Sequence, residues 1–388
     1  MSPAGPYSLG GWSIGAPFTG ASMYPNDIRP LTSLRIGAAI WVLVYHFRDH
    51  LGLDLDRLGL VAKGYLGVDL FFILSGFILS HVYLSRVEEK RFNYGSFLWA
   101  RLSRIYPVHL VTLAATMAIW LVAMKMGARF DPVAFDPKVL PQHLLLIHAW
   151  GTTPSVQWNF PSWSISAEWF AYLIFPVAAV LVLALRRVAW LAVALSLGLF
   201  FLMFWGVESS GLPLSEVTRL GFIRIVPAFL FGASLYQLGR TVALPRLAAL
   251  IGAAVAFLWI AVGSSLHWSD AVIWPAFGLL IFSLAEASKT NPRGVLGSVA
   301  LVYLGEVSYS VYMAHLPVDI AYFHALDRLA PNLTGTAAWA AWIGVFAATL
   351  IASIATYHLV ERPARNWMRA HDPFLKKPPP EPKHEPVI

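Results

Sequence analysis

Residues 35–46 read RIGAAIWVLVYH: an arginine, ten mostly apolar residues, then a histidine. The stretch is too apolar for a solvent-exposed helix, and it predicts a membrane span over roughly 31–47. At about 1.5 Å of rise per residue, Arg35 and His46 lie about 16 Å apart along the axis, toward opposite faces of a hydrocarbon layer about 30 Å thick. Ionisable groups at that depth are costly unless they pair or meet water, so both are candidates for function.

The rest of the chain repeats the pattern. Hydrophobic residues make up 57% of the 388 residues and charged residues 13%, and mean hydropathy is +0.62. Runs of about twenty apolar residues predict further spans near 64–84, 105–124, 163–185, 188–206, 219–238, 247–264, 271–287, 300–322 and 337–360. The fold class expected is an all-α polytopic membrane bundle of about ten helices. LPQHLLLIHAW (140–150) is too short to span and reads as interfacial or re-entrant. The chain divides into a polar N-terminal tail (1–28), one membrane domain (29–366) and a Pro- and Lys-rich C-terminal tail (367–388) expected to be disordered.

Charge sets the orientation. With the N-terminus in the cytoplasm, nineteen Lys and Arg residues fall on the cytoplasmic side and seven on the other, so both termini are expected to be cytoplasmic. The net charge of +7 is then a membrane-face signal and gives no reason to expect nucleic acid. Cysteine is absent, which excludes disulfides and a thiol nucleophile. The histidines show no zinc-like spacing, so no metal is expected.

Topology converts position into depth. His46, Asp69, Glu168, Arg224 and His315, from five spans, share one layer near the outer face. Arg35, Arg101 and Arg104 share the inner one. The arginines admit a bland reading as positive-inside or snorkelling residues, and a sharper one as a phosphate clamp, because the guanidinium fork grips phosphate oxygens bidentately. The carboxylates are either interhelical hydrogen-bonding groups or partners that orient His46. His315, beside Pro317, is either a satisfied interhelical histidine or part of a substrate site with Trp163, Ser164 and Arg224.

Six motifs in order make the chain similar to a known family. Arg35-x10-His46, GYLGVDLFFILSGFILS (64–80), Arg101-x-x-Arg104, WSISAEWFAYLIFP (163–176), LGEVSYSVYMAHLP (304–317) and YHLVERP (357–363) resemble the acyltransferase-3 family of bacterial inner-membrane O-acyltransferases. The resemblance implies that His46 is catalytic and that Arg101 and Arg104 contact acyl-CoA. It departs from the pattern at Glu168, which is followed by Trp169 where relatives often carry a second acid.

Together these readings give an expected activity. Acyl-CoA, most simply acetyl-CoA, is the donor substrate, with no resident cofactor, and its phosphates dock on Arg101, Arg104 and Arg35. The acceptor implied is a hydroxyl of a surface polysaccharide or lipid-linked glycan, with glycan-assembly proteins as candidate partners and the surrounding lipid as solvent. His46 acts as general base with Asp69 or Glu168 behind it, or carries the acyl group itself. The rival is a proton-coupled secondary transporter, which also buries His, Asp, Glu and Arg.

Overall fold

The computed structural model describes residues 23–127, 131–331 and 333–375. Most of the N-terminal tail and the end of the C-terminal tail lie outside these residues. The described chain is all-α. Its helices are α1 (Arg29–Phe47), the short α2 (Gly59–Ala62), α3 (Gly67–Glu88), α4 (Tyr94–Lys125), the short α5 (Leu140–Leu144), α6 (Trp163–Ala184), α7 (Ala189–Ser209), α8 (Gly221–Gly239), α9 (Arg246–Ser265), α10 (Asp270–Thr290), α11 (Val299–Leu329), α12 (Gly335–Thr356) and α13 (Arg362–Ala370). Backbone polar groups in lipid must be satisfied within the segment, and the helix does this whatever its side chains.

Nine described helical segments are long and apolar enough to cross a membrane. The chain is therefore a multi-pass membrane protein. α11 is not among the nine because Glu306, Ser308, Ser310 and His315 dilute its hydropathy, yet its packing carries it through the same depth. Gly305 lies against the Thr32 carbonyl of α1, and ten residues later His315 meets His46. The two helices therefore run side by side in the same direction. The stretch around 140–150 does not span: α5 is five residues long and unwinds into turns.

Two close approaches set the frame. Gly76 of α3 faces the Phe229 carbonyl of α8, and Gly232 of α8 faces the Ile73 carbonyl of α3, each too near for a Cβ. This reciprocal pair of small residues lets the two backbones pack directly, where lipid offers little hydrophobic drive for association. α8 also packs on α6 and α7, so that it sits at the bundle centre. At α11, Pro317 cannot donate to the carbonyl of Met313 one turn earlier. Asn159 Nδ2 donates to that carbonyl instead, at 3.2 Å, which ties the loop before α6 to the helix bearing His315.

Candidate functional site

The histidine expected from the first span is where the sequence places it, at the last turn of α1, but its partner is not a carboxylate. His46 Nδ1 lies 3.0 Å from His315 Nε2, and the two rings stack with centroids 4.8 Å apart. His315 Nδ1 is 2.5 Å from the Tyr312 carbonyl oxygen. A carbonyl only accepts, so Nδ1 of His315 carries the hydrogen and, in the neutral ring, its Nε2 is an acceptor. His46 must then donate from Nδ1. That fixes its tautomer and leaves the Nε2 lone pair of His46 free.

Asp69 and Glu168 are accordingly corrected as partners of His46. Asp69 is taken by Arg224: Nε donates to Oδ1 at 3.0 Å and Nη2 to Oδ2 at 2.5 Å, with both side chains 1% exposed. Arg224 is completed by the Leu214 carbonyl at 3.0 Å and by the face of Trp163, 5.2 Å from the guanidinium carbon. The pair bolts α3 to α8. Glu168 accepts from Ser75 Oγ at 2.9 Å, across to α3. Depth along the membrane is shared by these groups, but direction around each helix is not, and direction selects the partner.

The three arginines of the inner layer do converge. Arg35, Arg101 and Arg104 line two adjoining cavities. One, of about 130 Å3, is largely apolar; it rises past Ile78 and Glu168 and ends against Phe71, Ser164 and Tyr312. Tyr312 bonds Ser164 at 2.9 Å, and its ring centroid lies 5.8 Å from that of His315. The cavity thus stops one ring short of the imidazole pair. The other, of about 300 Å3, is a polar vestibule that adds Arg365, Arg369, Asp27 and Glu306 to the three arginines. Trp163 and Arg224, expected beside the acceptor, line neither cavity, whereas Ser164 lines the apolar one.

Local structure explains the convergence. Asn93 Oδ1 caps α4 by accepting from the Ser96 amide at 3.0 Å, so α4 starts well before residue 105. Arg101 and Arg104, one turn apart, therefore share a face. Their environments differ. Arg104 is paired with Glu361, which also accepts from Ser310 Oγ at 2.6 Å. Arg101 has a buried Nε with no partner and rests near Tyr83 and Tyr172, at 5.6 and 6.0 Å. Arg35 makes no hydrogen bond or ion pair with the described residues.

The sequence reading missed Arg365 and Arg369. Their signal was the four-residue spacing in ERPARNWMR, which places both on one face of α13. A second missed cluster is structural: His109, His143 and His148 stack in the interior, with His143 and His148 centroids 4.0 Å apart. Burial pushes the His143 imidazole down to about 3, with His109 adding to it; burial and the other two rings push His148 down as well.

The profile of an acyltransferase domain matches residues 30–358. The chain is 28% identical over 402 residues to "Acyltransferase MdmB" of Streptomyces mycarofaciens, covering 94% of this chain and 99% of that protein. It is 27% identical over 353 residues to a protein of Komagataeibacter xylinus named as a membrane-bound transacylase, BcsY, covering 87% and 83%. It is 23% identical over 378 residues to a protein of Staphylococcus aureus named as an O-acetyltransferase, covering 88% of this chain and 59% of that longer one. No solved structure matches.

Proposed function

Because the chain belongs to this acyltransferase family and is a membrane acyltransferase, we propose that it transfers an acyl group from acyl-CoA to an acceptor hydroxyl, with His46 as the general base. The supporting observation is the hydrogen-bond chain from His46 Nδ1 to His315 Nε2 and from His315 Nδ1 to the Tyr312 carbonyl, because it presents His46 with its Nε2 lone pair available. His315 is a positioning residue: it holds the tautomer and accepts the Nδ1 hydrogen more strongly as positive charge develops on His46.

The donor enters at the arginines. Its phosphates bind Arg35 and Arg101, whose hydrogen-bonding capacity the protein leaves unused, and Arg104. The thioester arm follows the apolar cavity toward Tyr312. A pantetheine arm is about as long as four extended residues, about 14 Å, comparable with the axial distance from Arg35 to His46. Phe71 and Tyr312, which close the cavity, move aside to admit the thioester. His46 Nε2 takes the acceptor hydroxyl proton, the oxygen forms the ester bond to the acyl carbon, and the carbon–sulfur bond breaks. The proton then passes from His46 to the departing thiolate, giving free CoA and neutral imidazole.

Acetyl is the simplest acyl group and a glycan hydroxyl the acceptor that the family resemblance favours. The arginine end faces the cytoplasm, where acyl-CoA is made, and the membrane is then the bacterial inner membrane. Purified protein in lipid nanodiscs, given acetyl-CoA and a panel of glycosides, is expected to release thiol in proportion to ester formed. Solute counterflow with the thioester intact would overturn the reading in favour of a transporter.

A further inference from the structure

The two cavities share Arg35, Arg101 and Arg104 but differ beyond them. The apolar one continues toward the histidine pair, while the vestibule opens the other way, past Arg365 and Arg369 of α13. The shared arginines form a neck, and a ligand whose arm fills the apolar cavity must place its nearest charged group there. Any second anionic group, farther from the arm, falls beside α13.

Five arginines face two carboxylates in the vestibule, and those carboxylates are partly engaged. Tyr357 donates to Glu306 at 2.8 Å, and Asp27 lies 3.5 Å from Arg29. Arg369 has no hydrogen bond or ion pair among the described residues. Arg365 reaches Glu361, at 3.5 Å, which it shares with Arg104, and the Tyr357 hydroxyl, which brings no charge. Glu361 sits on the last turn of a π-helical stretch, Tyr357–Glu361, that joins α12 to α13, a wide turn of the kind that recurs at functional sites. The positive charge of Arg365 and Arg369 is therefore in excess of the one shared carboxylate, Glu361, that reaches it.

Resting on acyl-CoA as donor, we propose that Arg365 and Arg369 bind the phosphomonoester on the donor's ribose, separately from the diphosphate held at the neck. The pair makes the site selective for a carrier with two separated phosphate groups. A donor that presents its acyl chain on a pantetheine arm with one phosphate would fill the neck and leave α13 without a partner. These two arginines therefore set which acyl carrier is accepted, while the arginines at the neck and His46 are common to any thioester of that shape.

The test compares acetyl-CoA with acetyl-3′-dephospho-CoA on the full-length protein in nanodiscs, as wild type, Arg365→Gln and Arg369→Gln. For wild type, removing the phosphomonoester is expected to raise KM at least about tenfold with kcat unchanged, the size of effect that charge-assisted hydrogen bonds give. Each variant is expected to raise KM for acetyl-CoA by a similar factor and to leave KM for the dephospho donor as in wild type. That second constant also shows that the variant is folded. An equal rise for both donors, a change confined to kcat, or no change for either would overturn the assignment. If wild type consumes neither thioester, the donor reading itself fails and this assignment falls with it.

Discussion

Arg224 and Arg101 lie in the same bundle, and their surroundings are opposite. Arg224 is matched: Asp69 takes two of its donors, the Leu214 and Tyr65 carbonyls two more, and Trp163 covers the plane. Arg101 keeps a buried Nε without a partner, and Arg35 beside it makes no hydrogen bond or ion pair with the described residues. Both environments satisfy the rule that charge in a membrane needs an explanation, but they explain it differently. A cation matched by the protein holds helices together. A cation left without a hydrogen-bonded carboxylate, at the wall of a cavity, fits the proposed role of receiving an anion from outside. Glu286 and Lys289, 2.7 Å apart with Tyr24 completing the carboxylate, repeat the first case at the edge of α10.

That contrast can be broken at several points. The largest effect is expected at the His46–His315 chain, which is complete but is proposed to serve chemistry. His315→Ala removes the acceptor for His46 Nδ1, so kcat should fall about 10²- to 10⁴-fold while donor KM holds. His315→Gln, whose carbonyl oxygen accepts the same hydrogen, should recover part of the loss. Equal kcat in the alanine variant and wild type would remove His315 from the mechanism.

Next comes the matched pair. Asp69→Ala leaves Arg224 buried and unmatched, which costs about 3–5 kcal/mol, readable as a lower unfolding temperature in detergent. Activity per folded molecule should stay near wild type. Loss of turnover at unchanged stability would return Asp69 to the catalytic group. Arg101→Gln should do the reverse: KM for the donor rises about 10- to 100-fold, with stability changed little. A fall in stability comparable to that of Asp69→Ala would show that Arg101 serves the fold.

The smallest effect is on pH. His143 and His148 are neutral in the folded protein, with His143 held down to about 3, whereas in the unfolded chain both titrate near 6.5. Their contribution is complete above pH 6.5 and is lost as pH falls through that value, at about 1.4 kcal/mol per pH unit per group until the folded imidazole itself titrates. Unfolding temperature should drop between pH 7.5 and 5.5, and the drop should shrink in His143→Gln. An unchanged drop in that variant would place the acid sensitivity elsewhere.

The contrast also explains what could be read from the chain. Nine of the ten long helices among the described residues follow from apolar runs, because length and hydropathy decide spanning almost independently of neighbours; α11 is placed by its packing on α1. Arg35, Arg101 and Arg104 converge as expected, since three residues near one face, two of them a turn apart, had few other places to go. His46 and His315 were both candidates, yet their pairing was not foreseen. Sequence gives depth, at about 1.5 Å per residue, but the partner depends on the rotation of each helix, about 100° per residue. The same missing coordinate put Asp69 beside His46 when α3 in fact turns it toward α8. Close packing at Gly76, Gly232 and Gly305 sets those rotations, and a glycine does not announce which helix it will meet.

The most direct test of the account is proton NMR of the surface glycan from a strain lacking the gene, complemented with wild type or with His46→Ala at equal protein levels. Wild type is expected to restore an O-acyl signal, and His46→Ala is not. An O-acyl signal restored equally by the variant would contradict His46 as the catalytic base.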